Sequence, residues 1–172
     1  EANLMDTSLY GSYRHALRVE NFENTQLRNL ELVGTEPDAM TAITYGISVG
    51  SRAKDYTIEN VTMENFQIGV NGRALNMTIK DSDISNVLTG VNNMSGGNLT
   101  ITDSSIVTKV TTHSKNLYVV RFGEGDVVGA PTVLDLHISN STLAMSLPEN
   151  FTPDPSYYLR SLVLRGNAGG EL

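Results

Sequence analysis

Cysteine and tryptophan are both absent from this chain of 172 residues, and aromatic residues make up only 6% of it. Without cysteine there is no disulfide scaffold, no thiolate nucleophile and no thiolate metal site. The lack of cysteine also suits a protein that must stay unfolded while it crosses a bacterial envelope, where an early disulfide would lock it. No apolar run approaches the length of a membrane span, and no charged-then-apolar signal segment opens the chain. Positive charge is scarce: 12 Lys and Arg stand against 19 Asp and Glu, a formal net charge of −7. That balance argues against nucleic acid and against anionic membrane as partners. The motifs HExxH, GxSxG, GxGxxG and the phosphate-binding P-loop are missing, and His15, His113 and His137 have no metal-ligand spacing.

What the chain does have is one short phrase, repeated. Gln26-Leu27-Arg28-Asn29, Thr57-Ile58-Glu59-Asn60, Thr78-Ile79-Lys80-Asp81, Thr100-Ile101-Thr102-Asp103 and His137-Ile138-Ser139-Asn140 each place an aliphatic residue two before an Asn or Asp. A second apolar residue follows three after it, at Leu32, Met63, Ile84, Ile106 and Leu143. The copies lie 31, 21, 22 and 37 residues apart, a basic spacing near 22 with insertions. Such a period marks a solenoid, and the two-residue alternation makes it one of strands. A second, shorter strand fits between the copies: Ala16-Leu17-Arg18-Val19, Gly46-Ile47-Ser48-Val49, Ile68-Gly69-Val70, Gly90-Val91, Leu117-Tyr118-Val119-Val120 and Ser161-Leu162-Val163-Leu164. Each rung is expected to hold this short strand, a turn, and a longer strand carrying the Asn or Asp. Stacking at about 4.8 Å would satisfy each strand's backbone groups from the rungs on either side. Leu27, Ile58, Ile79, Ile101 and Ile138 are expected to form one inward file. Asn29, Asn60, Asp81, Asp103 and Asn140 are expected to form a corner ladder, because Asn and Asp tolerate left-handed backbone and bond nearby amides.

This pattern resembles the right-handed parallel β-helix of the pectin-lyase-like superfamily, with its asparagine ladder and internal apolar files. The resemblance covers roughly residues 14–170. It implies an all-β, single-domain solenoid over 1–172, of about six rungs, with repeats at roughly 14–45, 46–67, 68–89, 90–116, 117–158 and 159–172. The resemblance leaves activity open, since lyases, hydrolases, epimerases, tailspikes and adhesins share that architecture. Neither end shows an amphipathic capping helix, so the chain is expected to be a segment of a longer secreted protein.

Insertions fall at Gly34–Tyr45, at Thr108–Asn116 with Gly123–Thr132, and at Ser146–Tyr158. The last carries three prolines, which keep it out of the sheet, together with Glu149, Phe151, Asp154, Tyr157 and Tyr158. Aromatics beside carboxylates on a loop suit stacking on a sugar or a protein partner, or packing over the column. Those five residues are the candidate binding set.

Polysaccharide lyases of the resembled family commonly pair a carboxylate-held Ca²⁺ with an Arg or Lys base. Here Arg52 and Arg73 each follow Val49 and Val70 by three, so they are expected one above the other. Arg18, Arg121 and Arg165 sit near similar places, giving a stripe that would fork carboxylate or sulfate, with Asp55 and Asp83 completing a groove. The bland alternative is a solvated stripe balanced by Glu20, Asp55 and Glu124. Asp81, Asp83 and Asp103 form the densest acidic group; repulsion between them would be relieved by Ca²⁺, or each would cap its turn through backbone amides. The GGxGxD repeat of a Ca²⁺-binding roll is absent, and no metal ligand set is assigned. Gly96-Gly97 reads as a tight turn. Six Asn-x-Ser/Thr sequons occur, at Asn60, Asn76, Asn93, Asn98, Asn140 and Asn150. With Asn60 and Asn140 expected to be buried in the ladder, most of these are read as fold chemistry rather than glycan acceptors.

Two function classes follow. One is a non-catalytic, secreted or surface-exposed β-helix of the adhesin or autotransporter-passenger type, at a bacterial cell surface, binding a host protein, a glycan or itself. The Gly/Asn-punctuated end, Ser161 to Leu172, resembles such passengers. The other is a polysaccharide-active lyase, hydrolase or epimerase using Arg52, Arg73, Asp55 and Asp83, with Ca²⁺ if a lyase. The near absence of insertions in rungs two to four favours the first.

Overall fold

A computed structural model describes residues 13–20, 22–35, 43–50, 54–94, 97–111, 116–123, 134–152, 155–156 and 158–165. Every regular element among them is a strand: β1 (Tyr13–Val19), β2 (Glu23–Val33), β3 (Ile43–Val49), β4 (Lys54–Glu64), β5 (Ile68–Gly72), β6 (Asn76–Lys80), β7 (Asp83–Val87), β8 (Thr89–Asn93), β9 (Gly97–Thr102), β10 (Ser105–Lys109), β11 (Asn116–Gly123), β12 (Leu134–Ser139), β13 (Thr142–Ser146) and β14 (Tyr158–Arg165). They form two all-parallel sheets. Sheet A has six strands in the order β1-β3-β5-β8-β11-β14. Sheet B has eight, running β12-β9-β6-β4-β7-β10-β13 with β2 beside β4. Sheet B is strongly curled, because β2 and β4 run unbroken through a corner at which the later repeats split into two strands.

The corner is the repeated Asn or Asp. Asn29, Asn60, Asp81, Asp103 and Asn140 all have positive φ, between 47° and 56°. Asn and Asp reach that region more readily than other side chains because their short polar groups bond locally. Where the next residue is serine the strand breaks. The Val61 N–H donates to Ser82 Oγ, the Ser82 N–H to Ser104 Oγ, and the Ser104 N–H to Ser141 Oγ, each at 3.2 Å. Each serine hydroxyl also donates to the carbonyl two residues before it, at 2.7 Å. A side-chain oxygen thus replaces a backbone acceptor at three successive levels, which the repeat pattern alone did not anticipate.

The core lies between the sheets and is built of files. Leu27, Ile58, Ile79, Ile101 and Ile138 stand in register as expected. Leu32, Met63, Ile84, Ile106 and Leu143 form a second file. Leu17, Ile47, Val70, Val91, Val120 and Leu162 form a third, in sheet A. Each central member is fully buried, and burying such a side chain stabilises by roughly 1.5–3 kcal/mol. A file of glycines, Gly46, Gly69 and Gly90, leaves room in sheet A for side chains of sheet B. A Cβ on Gly69 would stand 2.6 Å from Ile84 Cγ2, and one on Gly90 would stand 2.3 Å from Ile106 Cγ2.

The corner residues differ from expectation in one respect: all five are exposed, Asn60 and Asn140 included. Their side chains project away from the core because the left-handed residue turns the chain on the outer side of the curled sheet. Within this ladder Asn60 Nδ2 donates to Asn29 Oδ1 at 2.7 Å. Further ladders run elsewhere. Asn76 Nδ2 donates to Asp55 at 2.6 Å, and Asn98 Nδ2 to Asn76 at 3.0 Å. Asn92 Nδ2 donates to Asn71 at 2.7 Å, and Asn86 Nδ2 to Asn65.

Candidate functional site

Val70 pairs with Ile47, not with Val49, so the equivalence of Val49 and Val70 on which the expected arginine stack was built does not hold. Arg52 itself lies outside the described residues. Arg73 is exposed in the turn between β5 and β6. Arg18 and Arg121 do share one file, but Ser48, Asn71 and Asn92 separate them, so no continuous cationic stripe forms. The Arg165 backbone pairs with Gly123. Arg18 is neutralised by Glu20, as the bland alternative had it. Asp55 accepts its hydrogen bond from Asn76.

The carboxylates Asp81, Asp83 and Asp103 line an open groove of about 510 Å³ with Thr62, Ser82, Ser104, Ser105 and Asn140. Among the described residues no three His, Cys, Asp or Glu groups converge as a metal site would require. Asp81 and Asp103 hold their turns by backbone bonds to Thr102 and Ser139, both at 3.2 Å.

The arrangement with binding chemistry lies on the outward face of β11 and β14. The Arg121 guanidinium sits over the Tyr118 ring at 5.6 Å, and that of Arg160 over the Tyr158 ring at 5.2 Å. Tyr118 and Arg160 are direct register partners. The strands position these groups rigidly, because β11 is bonded on both edges, to β8 and β14. Arg18, Arg28, Lys54 and Lys80 each pair with a carboxylate; Arg121 and Arg160 have no acidic partner among the described residues. A guanidinium over an aromatic face keeps its N–H donors directed outward while the ring covers one side. Tyr158 is 51% exposed. Of the candidate binding set, Tyr158 therefore belongs to this face. Glu149 is exposed in the preceding turn and Phe151 is half-buried, with the Phe151 N–H donating to Pro148 O at 3.0 Å. Asp154 and Tyr157 lie outside the described residues. Arg160 and Tyr118 were not singled out from sequence; the signal was an Arg two residues after Tyr158 and, one level down, a Tyr three before Arg121.

Titrating groups cluster away from this face. Glu59 is held below the usual carboxylate range by its hydrogen bond from Lys80, at 2.7 Å, with Arg28 at 2.6 Å on its other oxygen. Lys54 is raised by its bond to Glu23. His15 stacks on Tyr45, ring centroids 4.8 Å apart, and burial followed by the nearby Arg18 charge lowers its pKa while Glu20 opposes. Burial pushes Tyr56 up to about 12.

The sequons are sorted by their amides. Asn93 is fully buried. Asn60, Asn76 and Asn98 spend their amide N–H on the ladders. Asn140 and Asn150 are exposed.

No family model, curated protein or solved structure matches the chain.

Proposed function

We propose that the chain is a right-handed parallel β-helix, displayed outside the cell or at a bacterial cell surface, that binds rather than catalyses. Its binding face is made by Tyr118, Arg121, Tyr158 and Arg160, beside the Ser146–Tyr158 insertion. The ligand is a host surface protein or glycan, and acidic glycan suits the face best: tyrosine rings stack on sugar faces while guanidinium forks take carboxylate or sulfate. The reading is carried by two guanidinium groups with no acidic partner among the described residues, held over the half-buried Tyr118 and exposed Tyr158 rings on the paired strands β11 and β14 of an otherwise acidic protein.

The test is binding to arrayed carboxylated and sulfated glycans, repeated with Arg160→Ala and Tyr158→Ala. Binding that weakens in both variants and falls with rising salt supports the proposal. Binding indifferent to both substitutions, or none at all, removes this face as the site.

A further inference from the structure

Sheet B breaks its own pattern at one point. Asn65 and Asn86 form a second corner, with φ of 65° and 50°, and Asn86 Nδ2 donates to Asn65 Oδ1. The next strand up does not repeat that corner. Val107 of β10 pairs with Ser85 and Thr108 with Val87, so Asn86 is an extra residue without a counterpart. No residue of β10 has positive φ. A bulge of this kind re-aims the side chain of the extra residue. With Nδ2 turned toward β4, the planar amide directs Asn86 Oδ1 to the β10 side, where no ladder amide stands above it.

A cavity of about 400 Å³ lies beside this bulge, within the range of roughly 300–1,000 Å³ that small-molecule sites occupy. Its walls are mainly apolar, from Val107, Val110, Leu147 and Pro148. Leu147 is 53% exposed, so core packing does not claim it. Two polar groups face the same space. Lys109 is half-buried there and, unlike Lys54 and Lys80, pairs with no carboxylate among the described residues. Asn86 Oδ1 accepts no hydrogen bond from those residues either. An apolar cavity with one cation and one acceptor states its ligand's chemistry: an anionic group, a hydrogen-bond donor and an apolar body between them. A neutral ligand would cover the ammonium without pairing it, and a polar body would leave the walls unmatched.

We propose that this cavity binds a small apolar carboxylic acid that also carries a hydroxyl or N–H donor. The carboxylate pairs with the Lys109 ammonium, the donor bonds to Asn86 Oδ1, and the apolar body lies against Val107, Val110, Leu147 and Pro148. The site shares no residue with the Tyr118–Arg160 face, and it does not depend on glycan binding there.

Titration of the isotope-labelled full chain with para-hydroxyphenylacetate, followed by amide NMR shifts, tests it. Saturable shifts centred on Asn86, Lys109 and Leu147 are expected. Phenylacetate lacks the donor and should bind about fivefold more weakly; para-hydroxyphenylethanol lacks the carboxylate and should bind about tenfold more weakly. Lys109→Met keeps the apolar stem and removes the charge. It should weaken the hydroxy acid about tenfold and leave the alcohol unchanged, and the unchanged alcohol shows that the variant is folded. Shifts that fail to saturate, or that centre on Tyr118 and Arg160 instead, overturn the proposal. So does a Lys109→Met chain that binds the hydroxy acid as tightly as the parent, or phenylacetate that binds as tightly as its hydroxylated form.

Discussion

Replacing Asn93 with alanine should be among the most damaging polar substitutions in the chain. Asn93 closes β8, stacked on Gly72 of β5, and is fully buried. Its Nδ2 donates to Ala74 O at 2.9 Å, and its Oδ1 accepts from the Ala74 N–H at 3.1 Å. The side chain thereby serves as a backbone strand would for the turn between β5 and β6. Alanine leaves an N–H and a carbonyl of buried Ala74 without partners. Each stranded group costs roughly 1–3 kcal/mol, so the total is about 2–6 kcal/mol. Asn92→Ala is the control. It removes one bond, to Asn71 at 2.7 Å, from a half-buried site and should cost about 0.5–1.5 kcal/mol. Urea unfolding followed by circular dichroism gives both values, compared at a common m-value. Asn93→Asp, which can still accept from Ala74 but when ionised sets a buried, unpaired carboxylate against the Ala74 carbonyl, should cost at least as much as alanine at neutral pH. An Asn93→Ala penalty no greater than that of Asn92→Ala would refute the claim that this amide completes the turn.

Gly90→Ala should destabilise by about 1–3 kcal/mol, because its Cβ would meet Val119 O at 2.5 Å as well as Ile106 Cγ2 at 2.3 Å; thermal unfolding measures this, and a variant as stable as the parent would mean that the backbone there gives way freely. Tyr56→Phe should be neutral or stabilising by up to about 2 kcal/mol, since the Tyr56 hydroxyl is buried without a partner; a clear loss in urea unfolding would mean that the hydroxyl is bonded. Stability should fall with acid in two stages. His15 is lowered from 6.5 when folded, so the unfolded chain takes up the proton first; the stability linked to it is full above pH 6.5 and lost as pH falls below that. Glu59, lowered from 4.5, contributes stability that is present above that value and lost as pH falls through its lower folded one. His15→Phe should flatten the first stage and Glu59→Gln the second.

The parallel stacking was legible because a two-residue alternation and a period near 22 are written directly into the residues, and the Leu27–Ile138 file followed from them. The corner was legible too, since few side chains other than Asn and Asp accept its backbone. Its exposure was not, because spacing along a strand does not say which side of a left-handed turn faces out. The equivalence of Val49 and Val70 behind the arginine stack did not hold for a related reason: both are buried valines, and only the hydrogen-bond register shows that Val70 answers to Ile47. The ladders Asn71–Asn92 and Asn65–Asn86 were within reach, as each pair is separated by 21 residues. The Tyr–Arg face depends on which residues of β11 and β14 are neighbours, a fact held in a pairing set by insertions of unequal length.

The serine hydroxyls give the stacked strands a direction in time. The corner amides of Val61, Ser82 and Ser104 are each satisfied by a hydroxyl oxygen belonging to the repeat made after them. A chain that folds from its first residues onward therefore always ends in one level with an open amide, and every new repeat completes the previous one as it adds its own. Growth of this kind is a ratchet: removal of a finished level requires breaking the bond that the following level supplied. Losing the Ser104 hydroxyl would interrupt that succession at one step, leaving the Ser82 amide without its acceptor while the bonds from Val61 and from Ser104 itself still form.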